Sequence, residues 1–153
     1  MASTIKNDKR ITNAWCMYDW ANSVFPLTIT SALFPIYWNA QTKNGVDILG
    51  MHLTDSILFA YCLSFAFVVI ALINPLLSGI ADSAGNKKSF MKAFVYIGVV
   101  SCFAMYFFDS QHVYIGIITF ILGTIGYAGS IVFYNAYLPE IATEDRYDQL
   151  SAK

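Results

Sequence analysis

Apolar positions in this chain do not alternate with polar ones. They run in four blocks parted by short charged or polar stretches, over residues 13–38, 57–81, 89–108 and 113–138. Each block is about the 20 residues that a helix needs to cross roughly 30 Å of hydrocarbon. The second and third have almost no polar face, which a helix on the outside of a water-soluble bundle would require. The pattern therefore predicts an all-α integral membrane protein with four transmembrane helices. Residues 1–12 form a segment before the bundle, and residues 139–153 a segment after it.

Composition points to the same solvent. The 153 residues are 57% hydrophobic and only 12% charged, against roughly 25% charged in ordinary soluble domains. The first block is too long for a signal peptide, carries Asp19 and lacks a small-residue cleavage pattern, so it is expected to stay in the mature protein. Cys16, Cys62 and Cys102 each fall inside a block and form no close pair, which predicts apolar packing rather than a disulfide framework or zinc site. No phosphate-binding glycine loop, H-E-x-x-H pair or nucleophile beside a base is present in the sequence. An enzyme, a metal site, a cofactor and a nucleic-acid partner are accordingly not expected.

The basic residues orient the blocks. Lys6, Lys9 and Arg10 precede the first, Lys87, Lys88 and Lys92 lie in or beside the second connection, and Arg146 and Lys153 follow the fourth. Only Lys43 falls on the other side, so the positive-inside bias places both chain ends in the cytoplasm. His52 and His112 are then solvated residues of outer loops.

Polar residues inside the first block carry the candidate chemistry. An aspartate at the centre of an inserted helix costs roughly 2.5 to 3.5 kcal/mol, whereas each Leu, Ile, Phe or Val returns about 0.3 to 0.6. At 100° per residue, Trp15, Asp19, Asn22, Ser23, Pro26 and Thr30 share one stripe, which should avoid lipid. Two readings stay open. Asp19 lies near the cytoplasmic interface as a cap or helix partner, or the stripe lines a path for a substrate or coupling ion. In the fourth block, Gly116, Gly123, Gly126, Gly129 and Ser130 offer small surfaces for close helix packing. Asn135 is polar within the apolar run and is suited to a bond between helices, whereas Glu140 follows Pro139 near the interface.

The second connection reads "LSGIADSAGNKKSFM". It resembles the loop signature of the major facilitator superfamily, with Ile80, Ala81, Asp82, Gly85 and Lys87 in the leucine-like, alanine, aspartate, second-glycine and lysine positions. Ser78, Ser83 and Asn86 depart from the usual glycine, basic residue and arginine. The resemblance implies a cytoplasmic gate formed by Asp82, Gly85 and Lys87.

Further motifs narrow the resemblance. "YDWANS", Phe34–Pro35, this loop and "FYNAYLPEIATEDR" together look like the autophagy-related vacuolar effluxers and their prokaryotic relatives. That implies a secondary transporter moving a small polar metabolite, with amino acids as candidate cargo, by alternating access. The path candidates are Asp19, Asn22, Ser23, Thr30 and Asn135, and the partners are the lipid bilayer, a small-molecule substrate and further transporter helices. The membrane is the cytoplasmic one in a prokaryote or the vacuolar one in a eukaryote. Such transporters hold substrate between two six-helix halves, so the chain is expected to be an amino-terminal fragment, with residues 139–153 leading to a fifth span. The alternative is a four-span structural or interaction protein without transport.

Overall fold

Two prolines decide the shape of the first apolar block. The computed structural model describes residues 6–48, 50–84 and 86–151, with the backbone alone over residues 80–84. Helix α1 (Lys9–Asn22) starts at Asp8, whose carboxylate accepts a hydrogen bond from the Arg10 backbone N–H at 2.7 Å, satisfying a donor left open by helix geometry. A wide π-helical segment, Phe25–Leu33, follows, and α2 (Phe34–Gln41) completes the block. Pro26 lacks an N–H, and the rings of Pro26 and Pro35 crowd the carbonyls four residues back. The chain responds by bonding one residue further. The Phe34 N–H donates to the Ile29 carbonyl, the i to i−5 step of a π turn, and the Ser31 hydroxyl adds a side-chain bond to the Pro26 carbonyl at 2.8 Å.

This corrects the expectation of four continuous transmembrane helices. Among the described residues, three single helices are long and apolar enough to cross a membrane: Asp55–Gly79, Lys87–Phe107 and Val113–Ile141. Residues 13–38 fall instead across α1, the π segment and α2. The three long elements are α3 (Asp55–Ala84), α4 (Lys87–Ala104), extended by a 3-10 turn over Met105–Phe107, and α5 (Val113–Ile141). After α5 come a 3-10 turn, Glu144–Arg146, and the short α6 (Tyr147–Ser151). With its membrane-length helices and broad apolar surface, the chain is a multi-pass membrane protein.

The bundle is all-α as expected, and the loop before α3 adds a small antiparallel hairpin, β1 (Val46–Ile48) and β2 (Met51–Leu53), with Val46 opposite Leu53 and Ile48 opposite Met51. Gly45 has a φ of 73°, and a β-carbon there would also lie 2.5 Å from His52 Nε2. Glycine is what that position admits.

Long-range contacts join the elements as an antiparallel bundle. At one end, the Asn7 N–H donates to the Ile141 carbonyl at 2.8 Å, and the Asn7 amide donates to the Thr143 hydroxyl at 2.9 Å. At the other, Trp38 Nε1 donates to the Asp55 carbonyl at 2.9 Å, and the Tyr37 hydroxyl donates to the Phe108 carbonyl at 2.8 Å. Helix α5 is the central strut. It buries 12 of its residues, while α4 buries only Phe94 and Ser101.

The glycines of α5 explain the closeness. A β-carbon on Gly126 would lie 2.5 Å from the Gly98 nitrogen of α4, and one on Gly129 would run into the Phe94 ring. Backbone and ring approach where only hydrogen is tolerated, the small-residue logic of membrane packing. Three apolar clusters stack along the bundle: Phe34, Trp38, Phe108 and Phe120; then Ile70, Phe94 and Phe133; then Ile141, Ala142 and Leu150. Phe34 and Phe120 stack at 4.5 Å between ring centroids.

Candidate functional site

Helix α1 is fixed to α5 by aromatic residues. The Trp15 and Tyr134 rings stack at 4.3 Å and 11°, Tyr18 stacks on the same tyrosine at 5.2 Å, and Trp15 Nε1 donates to the Tyr134 carbonyl at 3.2 Å. Stacked geometry with a directional bond sets the rotation of α1 about its axis. That rotation determines which polar residues meet.

Asp19, Ser23 and Asn135 meet on one cleft of about 360 Å³ between α1 and α5, walled by Trp15, Trp20 and Tyr134. Leu150 and Ser151 of α6 also line it. The Cys16 thiol donates weakly to the Leu150 carbonyl at 3.8 Å, which holds α6 beneath α1. Ser23 donates its hydroxyl back to the Asp19 backbone carbonyl at 2.9 Å, as hydroxyls inside helices commonly do. The Asp19 carboxylate is exposed and, among the described residues, is met by neither a hydrogen bond nor an ion pair. Among the described residues it is also the one charged side chain lining the cleft.

The remaining stripe residues go elsewhere. Asn22 lines a separate apolar cavity of about 440 Å³ between the π segment, α4 and α5, and its Nδ2 is buried with no partner among the described residues. Thr30, half-buried in the π segment, lines neither space. The 100° rule assumes 3.6 residues per turn, and the π segment takes more, so projections past Ser23 lose their register.

Sequence reading passed over Tyr18, Trp20 and Tyr134. The hydroxyl of Tyr134 is buried with no partner among the described residues, and Tyr134 as a whole is 4% exposed. Tyr134 lies within the "FYNAYLPEIATEDR" motif, but its burial depends on α1 and is not a property of the motif.

Of the gate candidates, Asp82 and Lys87 lie at the end of the bundle that holds the Asn7 contacts. Asp82 lies in the last turn of α3, with its side chain outside the described atoms, and Gly85 lies outside the described residues. Lys87 opens α4, and its ammonium donates to Glu140 of α5 at 2.8 Å. The bond joins the gate loop to Glu140, which was expected only to sit near the interface.

Comparison with known proteins adds the decisive observation. The family described as "Vacuole effluxer Atg22 like" matches residues 7–152. The chain belongs to this family. It is 33% identical over 149 residues to the MFS-type transporter YxiO of Bacillus subtilis, covering 95% of this chain and 34% of that protein. It is 32% identical over 102 residues to Autophagy-related protein 22 of Pyricularia oryzae, covering 66% of this chain and 15% of the fungal protein. Autophagy-related protein 22-2 of Neosartorya fischeri is 29% identical over 109 residues, 71% of this chain and 18% of that protein. The chain thus spans about a third of the bacterial relative's length and less than a fifth of these fungal ones. No solved structure matches it. The Atg22-like effluxers are secondary transporters and not enzymes.

Proposed function

We propose that this Atg22-like chain forms the amino-terminal third of a twelve-helix secondary transporter. The cargo is a small polar metabolite, amino acids included, moved by alternating access. The first crossing is the composite α1, π segment and α2, so that residues 13–138 cross four times. Residues 139–153 lead toward a fifth span. Both ends face the cytoplasm, with eight basic residues on that side against Lys43 on the other. The membrane is the cytoplasmic one in a prokaryote and the vacuolar one in a eukaryote.

The observation that carries this reading is the shared cleft of Asp19, Ser23 and Asn135 between the first and last crossings. Polar groups inside a membrane are costly and are retained where they face protein or water. Asn22 and Thr30 extend the path from neighbouring positions, and Asp82, Gly85 and Lys87 form the cytoplasmic gate. The remaining transporter helices would cover exposed apolar positions such as Leu27, Leu72 and Phe103.

The test is flux through the protein assembled with those helices in vesicles. Asp19→Asn, nearly isosteric and cheaper to bury, should abolish or uncouple transport at unchanged membrane abundance. Normal flux in that variant would remove Asp19 from the path. Absence of flux in the unaltered assembly would favour a four-span structural or interaction module.

A further inference from the structure

We propose that the apolar slot between the π segment, α4 and α5 holds one acyl chain of an anionic phospholipid, whose headgroup lies on Lys88 and Lys92. The proposal rests on the membrane-spanning fold and not on the transport reading. The shape of the slot comes first. Its lining on α4 runs from Phe94 to Phe103, about 14 Å at 1.5 Å per residue, close to the roughly 15 Å of one leaflet of hydrocarbon. A volume of about 440 Å³ over that length leaves a channel roughly 6 Å across, whereas a helix with its side chains is about 10 to 12 Å across. A later helix of a longer protein can lie over the rims at Val24 and Phe103, both exposed, but is too wide to enter. A single hydrocarbon chain is not.

Glycines make the slot and aromatic rings wall it. Gly98, Gly123 and Gly126 leave backbone where side chains would fill the space. Phe25 stacks on Tyr127 at 5.6 Å between ring centroids, which fixes the wall on the side of the π segment. Among the described residues the lining carries no charged side chain. Left empty, such a lining forfeits dispersion contacts along one side, and an apolar space of this kind does not hold water.

One end of the slot is suited to a headgroup. Lys88, Lys92, Val95, Val99 and Cys102 follow one another at steps of four or three residues, so both lysines lie on the face of α4 that lines the slot, within two turns of its first lining residues. Both are exposed. Glu140, at the same end of the bundle, is engaged by Lys87. Lysines at a helix end attract anionic headgroups, and their stems run along apolar surface to set the ammonium at the interface.

Asn22 gives an independent sign of an absent polar partner. Helices α1 and α4 rise from the same end of the bundle, so Asn22, the last residue of α1, lines the slot toward the lysines. Its Nδ2 is buried and has no acceptor among the described residues, whereas buried polar groups in folded proteins nearly always have a partner. The ester carbonyl that joins an acyl chain to its headgroup supplies that acceptor.

The experiment uses the 153-residue chain in phosphatidylcholine bilayers and needs no flux. A trace of phosphatidylglycerol or phosphatidylcholine carries a photoreactive diazirine midway along one acyl chain, and cross-links are mapped by mass spectrometry. The phosphatidylglycerol probe should label Val99 and Cys102 about tenfold or more above the phosphatidylcholine probe, with competition by unlabelled phosphatidylglycerol and none by inorganic phosphate. The double variant Lys88→Gln, Lys92→Gln should abolish that preference. Asn22→Leu should lower slot labelling by both probes, since both carry the ester. Val99→Trp, which fills the slot from an exposed position, should remove labelling at Cys102 while labelling at the exposed Phe65 of α3 and helicity by circular dichroism stay unchanged.

Equal labelling of the slot by the two probes, a preference that survives loss of both lysines, competition by inorganic phosphate, or slot labelling no greater than at Phe65 would overturn the proposal. So would loss of slot labelling in the protein assembled with the remaining transporter helices, which would give the slot to one of them. Absence of flux from an assembly that keeps the labelling leaves the lipid site standing and removes the transport reading alone.

Discussion

Lys87 Nζ lies 2.8 Å from Glu140 Oε1, joining the first residue of α4 to the end of α5 across 53 positions of sequence. The lysine side chain is 18% exposed and the glutamate 48%, so water screens the pair substantially. A double-mutant cycle with Lys87→Met and Glu140→Gln should return a coupling of about 1 kcal/mol or less, read from unfolding in detergent micelles. A coupling of several kcal/mol would mean the pair is dry and structural, which would weaken its assignment to a gate that must open.

Gly98 and Gly126 face each other but should not respond alike. A β-carbon on Gly126 meets backbone at 2.5 to 2.8 Å, whereas one on Gly98 meets its nearest neighbour at 3.9 Å. Gly126→Ala should therefore destabilise the α4–α5 pair by about 1 to 3 kcal/mol. Gly98→Ala should be neutral or stabilising by up to about 1 kcal/mol, because alanine is the better helix former. Thermal unfolding of both variants checks the asymmetry, and equal losses would mean that the helices are not this close.

Orientation is tested by labelling. Cysteines placed at Lys43 and Ser110 should react with an impermeant reagent from outside intact cells, and one at Ser83 only after permeabilisation. The reverse pattern would refute the cytoplasmic placement of both ends.

In the assembled transporter, Asp82→Asn should lower flux at near-normal abundance, because it removes charge from the proposed closure rather than from the apolar core. Gly85→Val should be worse, since the loop signature that the sequence resembles holds a glycine at that position. Flux and abundance measured together decide it. Full activity of Asp82→Asn would take the loop out of the mechanism.

Acid should loosen the turn before α5. Asp109 accepts from His112 Nδ1 at 2.9 Å and from the Gln111 and His112 backbone N–H groups at 2.8 Å. The bond from the His112 side chain, foremost, holds the Asp109 carboxyl below the usual carboxylate range. A carboxyl depressed in the folded state adds stability that is present above its unfolded value and is lost as pH falls through the folded one. Protection factors for amide exchange at the start of α5, corrected for the intrinsic pH dependence of exchange, should fall on acidification through that window, and Asp109→Asn should flatten the dependence. Unchanged protection factors across it would show that the turn does not rely on this carboxylate.

The membrane solvent, the three long helices and the small-residue face of α5 were legible in the sequence. A run of about 20 apolar residues is suited to hydrocarbon whatever its neighbours are, and glycines at helical spacing mark close packing wherever they occur. Family motifs were legible for a similar reason, since order and spacing along the chain carry them. The loop before α3 gave a weaker signal, and Gly45 and Gly50, both at positive φ, were its only local hint of a hairpin.

Tertiary structure decided what depends on pairs of distant residues. The π segment lies between α1 and α2 with Pro26 near its start, and its extra residues per turn separated Thr30 from Asp19 in a stripe that 100° spacing had joined. Tyr134 became a wall of the cleft because Trp15 stacks on it from 119 positions away, and Lys87 met Glu140 only because α4 and α5 run antiparallel. Local sequence sets a residue's preference for lipid, turn or helix, through energies that the residue carries alone. Which polar group faces which is set by helix rotation and register, and those follow from contacts made only once the helices have packed.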